Sequence, residues 1–141
     1  VSETPVFLQA RAAGRAFLLS VSELREVVGS SPVTAIPGGP PGIQGVVLHQ
    51  GEFLPVLDWA AVPGADPSGP PKAMAVLRPR LGLPLEGLTG TMDTPEGTWI
   101  DPRNDPWAPI LAGLCRVGDL DLPVLDPDRL LGLLHRLRKA R

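Results

Sequence analysis

Cysteine is nearly absent. Cys115 is the only one in 141 residues, which excludes an intrachain disulfide and a cysteine-rich zinc site. Its place in the apolar run ILAGLCRV predicts a buried, inert thiol rather than a nucleophile. Histidine is almost as scarce: His49 and His135 are the only two, and neither has a cysteine or a second histidine at metal-ligand spacing. No metal site and no cofactor are therefore expected. Long hydrophobic runs are missing too. The uncharged stretch 27–50 is broken by Gly29, Pro32, Pro37, Gly38, Gly39, Pro40, Pro41 and Gly42, so no membrane-spanning helix is predicted. The opening VSETPVFLQA lacks both a basic segment and an apolar run long enough for a signal peptide, and a cytoplasmic location is the expectation.

A basic face is also lacking. The net charge is −2, and residues 1–134 carry nine Lys and Arg against fifteen Asp and Glu, whereas the final HRLRKAR adds four cations and no acid. That balance argues against a nucleic-acid-binding surface. Cations in the last turn of a helix complement its macrodipole, which accounts for the basic end locally.

What the chain does contain is punctuation. With 18 Pro and 16 Gly against 43% hydrophobic residues, short strands and turns are favoured over long helices. A chain of this length fits one domain able to bury about two-thirds of its unfolded surface.

The segment PVFLQARAAGRAFLLSV predicts two strands, over 6–10 and 16–19, joined around Gly14. In SVSELREVV, Ser20 or Ser22 can cap a short helix, because Val21, Leu24, Val27 and Val28 fall at helical spacing before Gly29. The prolines of PVTAIPGGPPGIQG predict an extended segment and a rigid turn. Two apolar runs, 43–48 and 53–57, then flank HQGE, where Gly51 suits a tight turn; Pro55 predicts an edge or bulged strand. The stretch AAVPGADPSGPPK reads as a linker. Beyond it come AMAVLRP with LPLEGLTGTM as one hairpin, the Pro- and Asp-rich loop DTPEGTWIDPRNDPWAP, and ILAGLCRV with LDLPVLD as another hairpin around Gly118 and Asp119. The one convincing long helix closes the chain. Asp126 can cap it, Pro127 suits its first position, and Leu130, Leu133, Leu134 and Leu137 form its apolar face.

Catalytic chemistry finds no support. Glu52 and Asp58 lie at opposite ends of one strand, about 20 Å apart at strand rise, beyond the roughly 5–9.5 Å of paired glycosidase carboxylates. DPRNDP at 101–106 lacks the central Gly and distant Glu of a calcium loop and reads as Asx turns. GGPPG places prolines where a phosphate cradle needs N–H donors.

The order of the motifs resembles the CheW family of chemotaxis coupling proteins. That family typically shows V-x-E-V/I, then P-x-x-P-x-x-I-x-G-V-I-N-L-R-G-x-x-x-P-V-x-D-L; here the matching segments read ELREVV and IPGGPPGIQGVVLHQGEFLPVLDW. The end, ILAGLCRVGDLDLPVLDPDRLL, resembles the family's closing pattern. Two departures stand out. The N-L-R-G of the family reads Leu48-His49-Gln50-Gly51, replacing an Arg that can pair with a carboxylate such as Glu26 by a neutral amide. Its G-l-l-V-D-x-V reads GLTGTM over 87–92, without the Asp.

The resemblance implies an all-β fold with a C-terminal helix: two small five-stranded SH3-like β-barrel lobes sharing a hydrophobic core. The lobes are expected over 6–62 and 73–125, with a linker at 63–72 and the helix at 127–140. It further implies a non-enzymatic adaptor between a chemoreceptor's cytoplasmic tip and the regulatory domain of a CheA-type histidine kinase, with no nucleic acid bound and no insertion into the membrane. Receptor contact carries over to Leu24, Glu26, Val27, Gly45, Val46 and Gln50. A helical tip needs apolar anchors and a polar group to fix its register. Kinase-docking residues are left unassigned. The alternatives are a scaffold that binds only a kinase or another CheW-like domain, and a small β-barrel ligand-binding protein.

Overall fold

The computed structural model describes residues 6–67, 69–93 and 99–140. Eleven strands and one helix occur among them: β1 (Val6–Ala12), β2 (Arg15–Ser20), β3 (Leu24–Gly29), β4 (Ile43–His49), β5 (Glu52–Leu57), β6 (Ala73–Leu77), β7 (Gly82–Leu85), β8 (Gly87–Asp93), β9 (Trp99–Ile100), β10 (Leu111–Val117), β11 (Leu120–Leu125) and α1 (Pro127–Lys139). They form a six-stranded sheet in the order β8-β1-β2-β11-β10-β9 and a five-stranded sheet in the order β3-β6-β7-β5-β4. The mostly-β fold with a C-terminal helix is as expected; the short β9 brings the first sheet to six strands rather than five.

The sheets do not follow chain order. A division into 6–62 and 73–125 is replaced by an interleaved one, since each sheet draws strands from both sides of the 63–72 segment. The crossing from the second sheet back to the first occurs at Glu86, between β7 and β8, where LPLEGLTGTM was expected to run as one strand. Glu86 is held there by its N–H to the Arg11 carbonyl (2.7 Å) and by its carboxylate, which accepts from the Gly14 N–H (3.1 Å).

This topology explains why β2 and β6 are continuous apolar runs rather than alternating ones. Both faces of each strand are buried. Phe17 and Leu19 of β2 enter the large core between the sheets, with Leu57, Trp59, Ala75, Leu77, Trp107 and Leu130. Leu18, from the opposite face, packs with Phe7, Cys115, Leu122 and Val124 inside the first sheet. Met74 and Val76 of β6 likewise turn away from the shared core to meet Val47, Leu54 and Val56 inside the second. Each curled sheet thus has its own interior, and the two share a third, central core. Burial pushes the Cys115 thiol pKa up, in keeping with an inert side chain.

Three local expectations change. The helical spacing in SVSELREVV produces only one 3-10 turn at Val21–Glu23, with no side-chain cap from Ser20, before the chain extends as β3. Val27 and Val28 are β-branched, and the ladder with β6 captures them. The tip of the β4/β5 hairpin is tighter than the four residues of HQGE: Gln50 and Gly51 alone form the turn, at φ +50° and +78°, the two-residue form whose twist suits a hairpin. Pro55 is neither at an edge nor in a bulge, because β5 lies between β7 and β4. It stands opposite Val46, whose N–H and C=O point away to Thr34 (2.9 Å each), so no ladder bond to β4 is lost at the proline.

The Asx turns occur as read. Asp101 Oδ1 accepts from the Arg103 N–H and Asp105 Oδ1 from the Trp107 N–H, both at 2.8 Å; residues 94–98 of that loop lie outside the described ones. Helix α1 is capped by Asp126, which accepts from the Asp128 N–H at 3.0 Å, with Pro127 in the first turn and Leu130 buried. Its packing against the entry to β4 depends on Gly42. The backbone there has φ +85°, and a Cβ would lie 2.4 Å from Leu134 Cδ2. No helix among the described residues is long and apolar enough to cross a membrane.

Candidate docking surface

The polar interruption at the β4/β5 tip lies at a seam. Strands β3 and β4 are the two edges of the five-stranded sheet, and as it curls the side chains of these edges meet. Glu26 Oε1 on β3 hydrogen-bonds His49 Nε2 on β4 and also accepts from Gln50 Nε2 at 3.2 Å. The His49 side chain is only 15% exposed and that of Glu26 39%. A second closure comes from the paired bonds between Thr34 and Val46, for which Gly45 leaves the space: a Cβ there would lie 2.2 Å from the Thr34 carbonyl oxygen.

Next to this seam is a polar hollow of about 310 Å3 lined by Arg25, His49, Gln50, Glu52 and Arg80. Arg80 reaches it from the β6/β7 turn, pairs with Glu52 and donates to the Phe53 carbonyl at 3.4 Å. Arg25 occupies a β-bulge: Leu24 pairs with Leu77 and Glu26 with Val76, leaving Arg25 without an opposite residue. On the outer face of the hairpin Leu48 and Phe53 are cross-strand partners, and they are 68% and 72% exposed.

Of the six residues predicted from sequence, the structure brings Glu26 and Gln50 into direct contact. Leu24 and Val27 share the β3 face opposite Leu77 and Ala75, and both are half-buried. Val46 is half-buried and tied to Thr34, whereas Gly45 is buried beneath that segment. The bulge at Arg25 keeps Leu24 and Val27 on one face although they are three residues apart. Sequence reasoning missed His49 as the partner of Glu26, Arg25 and Arg80 as the cations of the hollow, and the Leu48–Phe53 pair. The last was available in principle, since both residues lie two positions from the turn.

Another cavity, of about 300 Å3, includes Asp58, Trp59 and Glu86 in its lining. Its polar groups serve the fold. Asp58 accepts from the Ala60 N–H, Glu86 from the Gly14 N–H, and the Trp59 indole donates to the Pro84 carbonyl. Glu52 and Asp58 are at opposite ends of β5 with separate partners, and among the described residues no three His, Cys, Asp or Glu side chains gather as metal ligands.

Two curled sheets on a shared core, with side chains of β3 and of the β4/β5 hairpin meeting at a seam, define a mostly-β fold. A model of the CheW-like domain matches residues 6–134, and the chain belongs to that family, one of non-catalytic scaffolds. A curated relative from Rhizobium etli, described as "Probable chemotaxis protein CheW", is 31% identical over 72 residues, which cover 51% of this chain and 46% of that protein. The chain thus matches about half the length of that relative. Among solved structures, the scaffolding protein TtCheW from Thermoanaerobacter tengcongensis superposes with a TM-score of 0.77 at 18% identity, covering 89% of this chain and 86% of that one.

Proposed function

We propose that this CheW-like scaffold acts in chemotaxis or motility signalling as an adaptor in the cytoplasm, coupling a chemoreceptor's helical tip to the regulatory domain of a CheA-type kinase. The observation that carries this reading is the contact between Glu26 and Gln50. It joins, across the sheet seam, the two sequence segments that most resemble the family's pattern. Leu24 and Val27, on the other face of β3, and Val46 on β4 are half-buried apolar side chains of the same two segments. Gly45 takes part indirectly, by admitting Thr34.

Gln50→Arg tests the reading at its most specific point. The substitution places a charge-assisted donor next to the Glu26 carboxylate and the receptor face. Affinity for a receptor signalling-tip fragment, measured by isothermal titration calorimetry, should change by about fivefold or more, in line with the worth of such a bond. An unchanged affinity removes position 50 from the receptor contact. Binding of the kinase regulatory domain without any binding of the receptor fragment favours a scaffold that serves the kinase alone.

A further inference from the structure

An open groove of about 270 Å3 is lined by helix α1, by the segment that enters β4, by β5 and by the β6/β7 turn. Among its apolar residues, Ile43, Leu131 and Leu134 are half-buried and pack against the central core, and Leu81 is buried in that core. Pro40, Pro41 and Pro55 complete the apolar lining, and their fixed φ keeps the walls in place without a ligand. The charge in this lining has one sign. It comes from Arg80, Arg138 and the imidazole of His135, and no carboxylate shares the groove. Arg80 is already engaged by Glu52. Arg138 and His135, by contrast, have no hydrogen bond or ion pair among the described residues. The helix macrodipole favours cations in the last turn, yet Arg138 bonds none of the terminal carbonyls, so its donors are open to a ligand.

We propose that this groove binds a free single-chain anionic amphiphile, a short unbranched carboxylate, with its carboxylate on Arg138 and its hydrocarbon chain against Ile43, Leu131 and Leu134. The assignment is independent of the adaptor reading. A guanidinium without a partner and a carboxylate form a charge-assisted, bidentate pair, and with no acid in the lining nothing competes for it. The chemistry of the walls argues for a hydrocarbon body. Prolines carry no N–H, the backbone of α1 is engaged in its own hydrogen bonds, and β5 is flanked on both sides by β7 and β4. A peptide laid in the groove would therefore find few partners for its backbone groups, whereas a hydrocarbon chain needs none. The volume argues for a short one. It falls just under the roughly 300–1,000 Å3 of pockets that enclose drug-sized ligands, which suits one chain rather than the paired acyl chains of a membrane lipid.

The test is a titration of the full chain with sodium octanoate, followed by amide and methyl NMR shifts, with sodium hexanoate, 1-octanol and octylammonium as comparisons. Octanoate should shift Ile43, Leu81, Leu131 and Leu134 saturably, and bind about tenfold or more tightly than octylammonium. Hexanoate, which buries two methylenes fewer, should bind about fivefold more weakly, and 1-octanol should also bind more weakly than octanoate. Arg138 is exposed, so its variants should fold, as circular dichroism melts check. Arg138→Glu should weaken octanoate by about tenfold or more, and Arg138→Lys should keep part of the affinity. Octylammonium binding as tightly as octanoate, shifts confined to other surfaces, or an affinity unchanged in folded Arg138→Glu each overturns the assignment. So does the absence of saturable shifts, whether or not the chain is then retained on phosphatidylglycerol vesicles, a result that would make the basic helix end a membrane contact. Sedimentation showing that octanoate only dissociates a dimer would overturn it too, by giving the groove to a second copy of the chain.

Discussion

Glu26 on β3 and His49 on β4 hydrogen-bond across the opening between the two edge strands of the five-stranded sheet. The strands themselves are not paired there, so side chains close the sheet where backbone ladders do not. Such a contact ties the position of the hairpin to that of β3. A double-mutant cycle with Glu26→Ala and His49→Ala should yield a coupling of about 1 kcal/mol in urea denaturation. The value is kept modest because more than a third of the Glu26 side chain is open to solvent. Strictly additive losses would mean that the pair does not close the seam.

Asp105 links the long loop before β10 to the first sheet. Its carboxylate takes two hydrogen bonds from the Arg15 guanidinium, at 2.8 and 2.9 Å, while that guanidinium lies 4.7 Å from the centre of the Trp107 ring. The hydrogen bond from Arg15 foremost, aided by the Trp107 N–H and opposed by burial, holds the Asp105 carboxyl below the usual carboxylate range. A depressed folded pKa contributes stability above the unfolded value, and that contribution is lost as pH falls through the folded one. With its side chain only 11% exposed, Asp105→Asn should cost about 1.5–3 kcal/mol at neutral pH. The gap to wild type should narrow as urea midpoints are followed from pH 6 down through the carboxylate range; a constant gap would contradict the assigned ion pair.

Gly45→Ala should act on the fold before it acts on binding. The new Cβ would lie 2.2 Å from the Thr34 oxygen and 2.7 Å from its carbonyl carbon. These are backbone atoms, which cannot turn aside as a flexible side chain does. A loss of about 1–3 kcal/mol is expected, typical of overpacking, together with faster amide exchange at Thr34 and Val46. A variant that keeps its stability and loses only partner affinity would show instead that Gly45 is itself a contact.

Much of this architecture is legible in the sequence, for physical reasons that differ by element. The β4/β5 and β10/β11 hairpins announce themselves because two apolar runs meet at Gly51 and at Gly118, and α1 because Asp126, Pro127 and the leucine spacing all agree. The 20–28 segment misleads because Val21, Leu24, Val27 and Val28 satisfy a helical period, while the deciding interaction is the ladder with β6, some fifty residues away. Interleaving of the sheets is hidden for the same reason: nothing local at Glu86 announces a change of sheet. At the candidate docking surface, Glu26 and Gln50 are visible through motif resemblance. His49 is not, since its role appears only when the edges of the curled sheet approach each other, and Arg25 depends on a bulge that no residue type signals.

In the proposed role, one CheW-like chain joins a receptor tip to a kinase. Analytical ultracentrifugation of the full chain with a receptor signalling-tip fragment and the kinase regulatory domain tests it directly. A species containing all three components is expected, lost when this chain is omitted. Binary complexes that exclude one another, or association of receptor and kinase fragments that is indifferent to this chain, would contradict it.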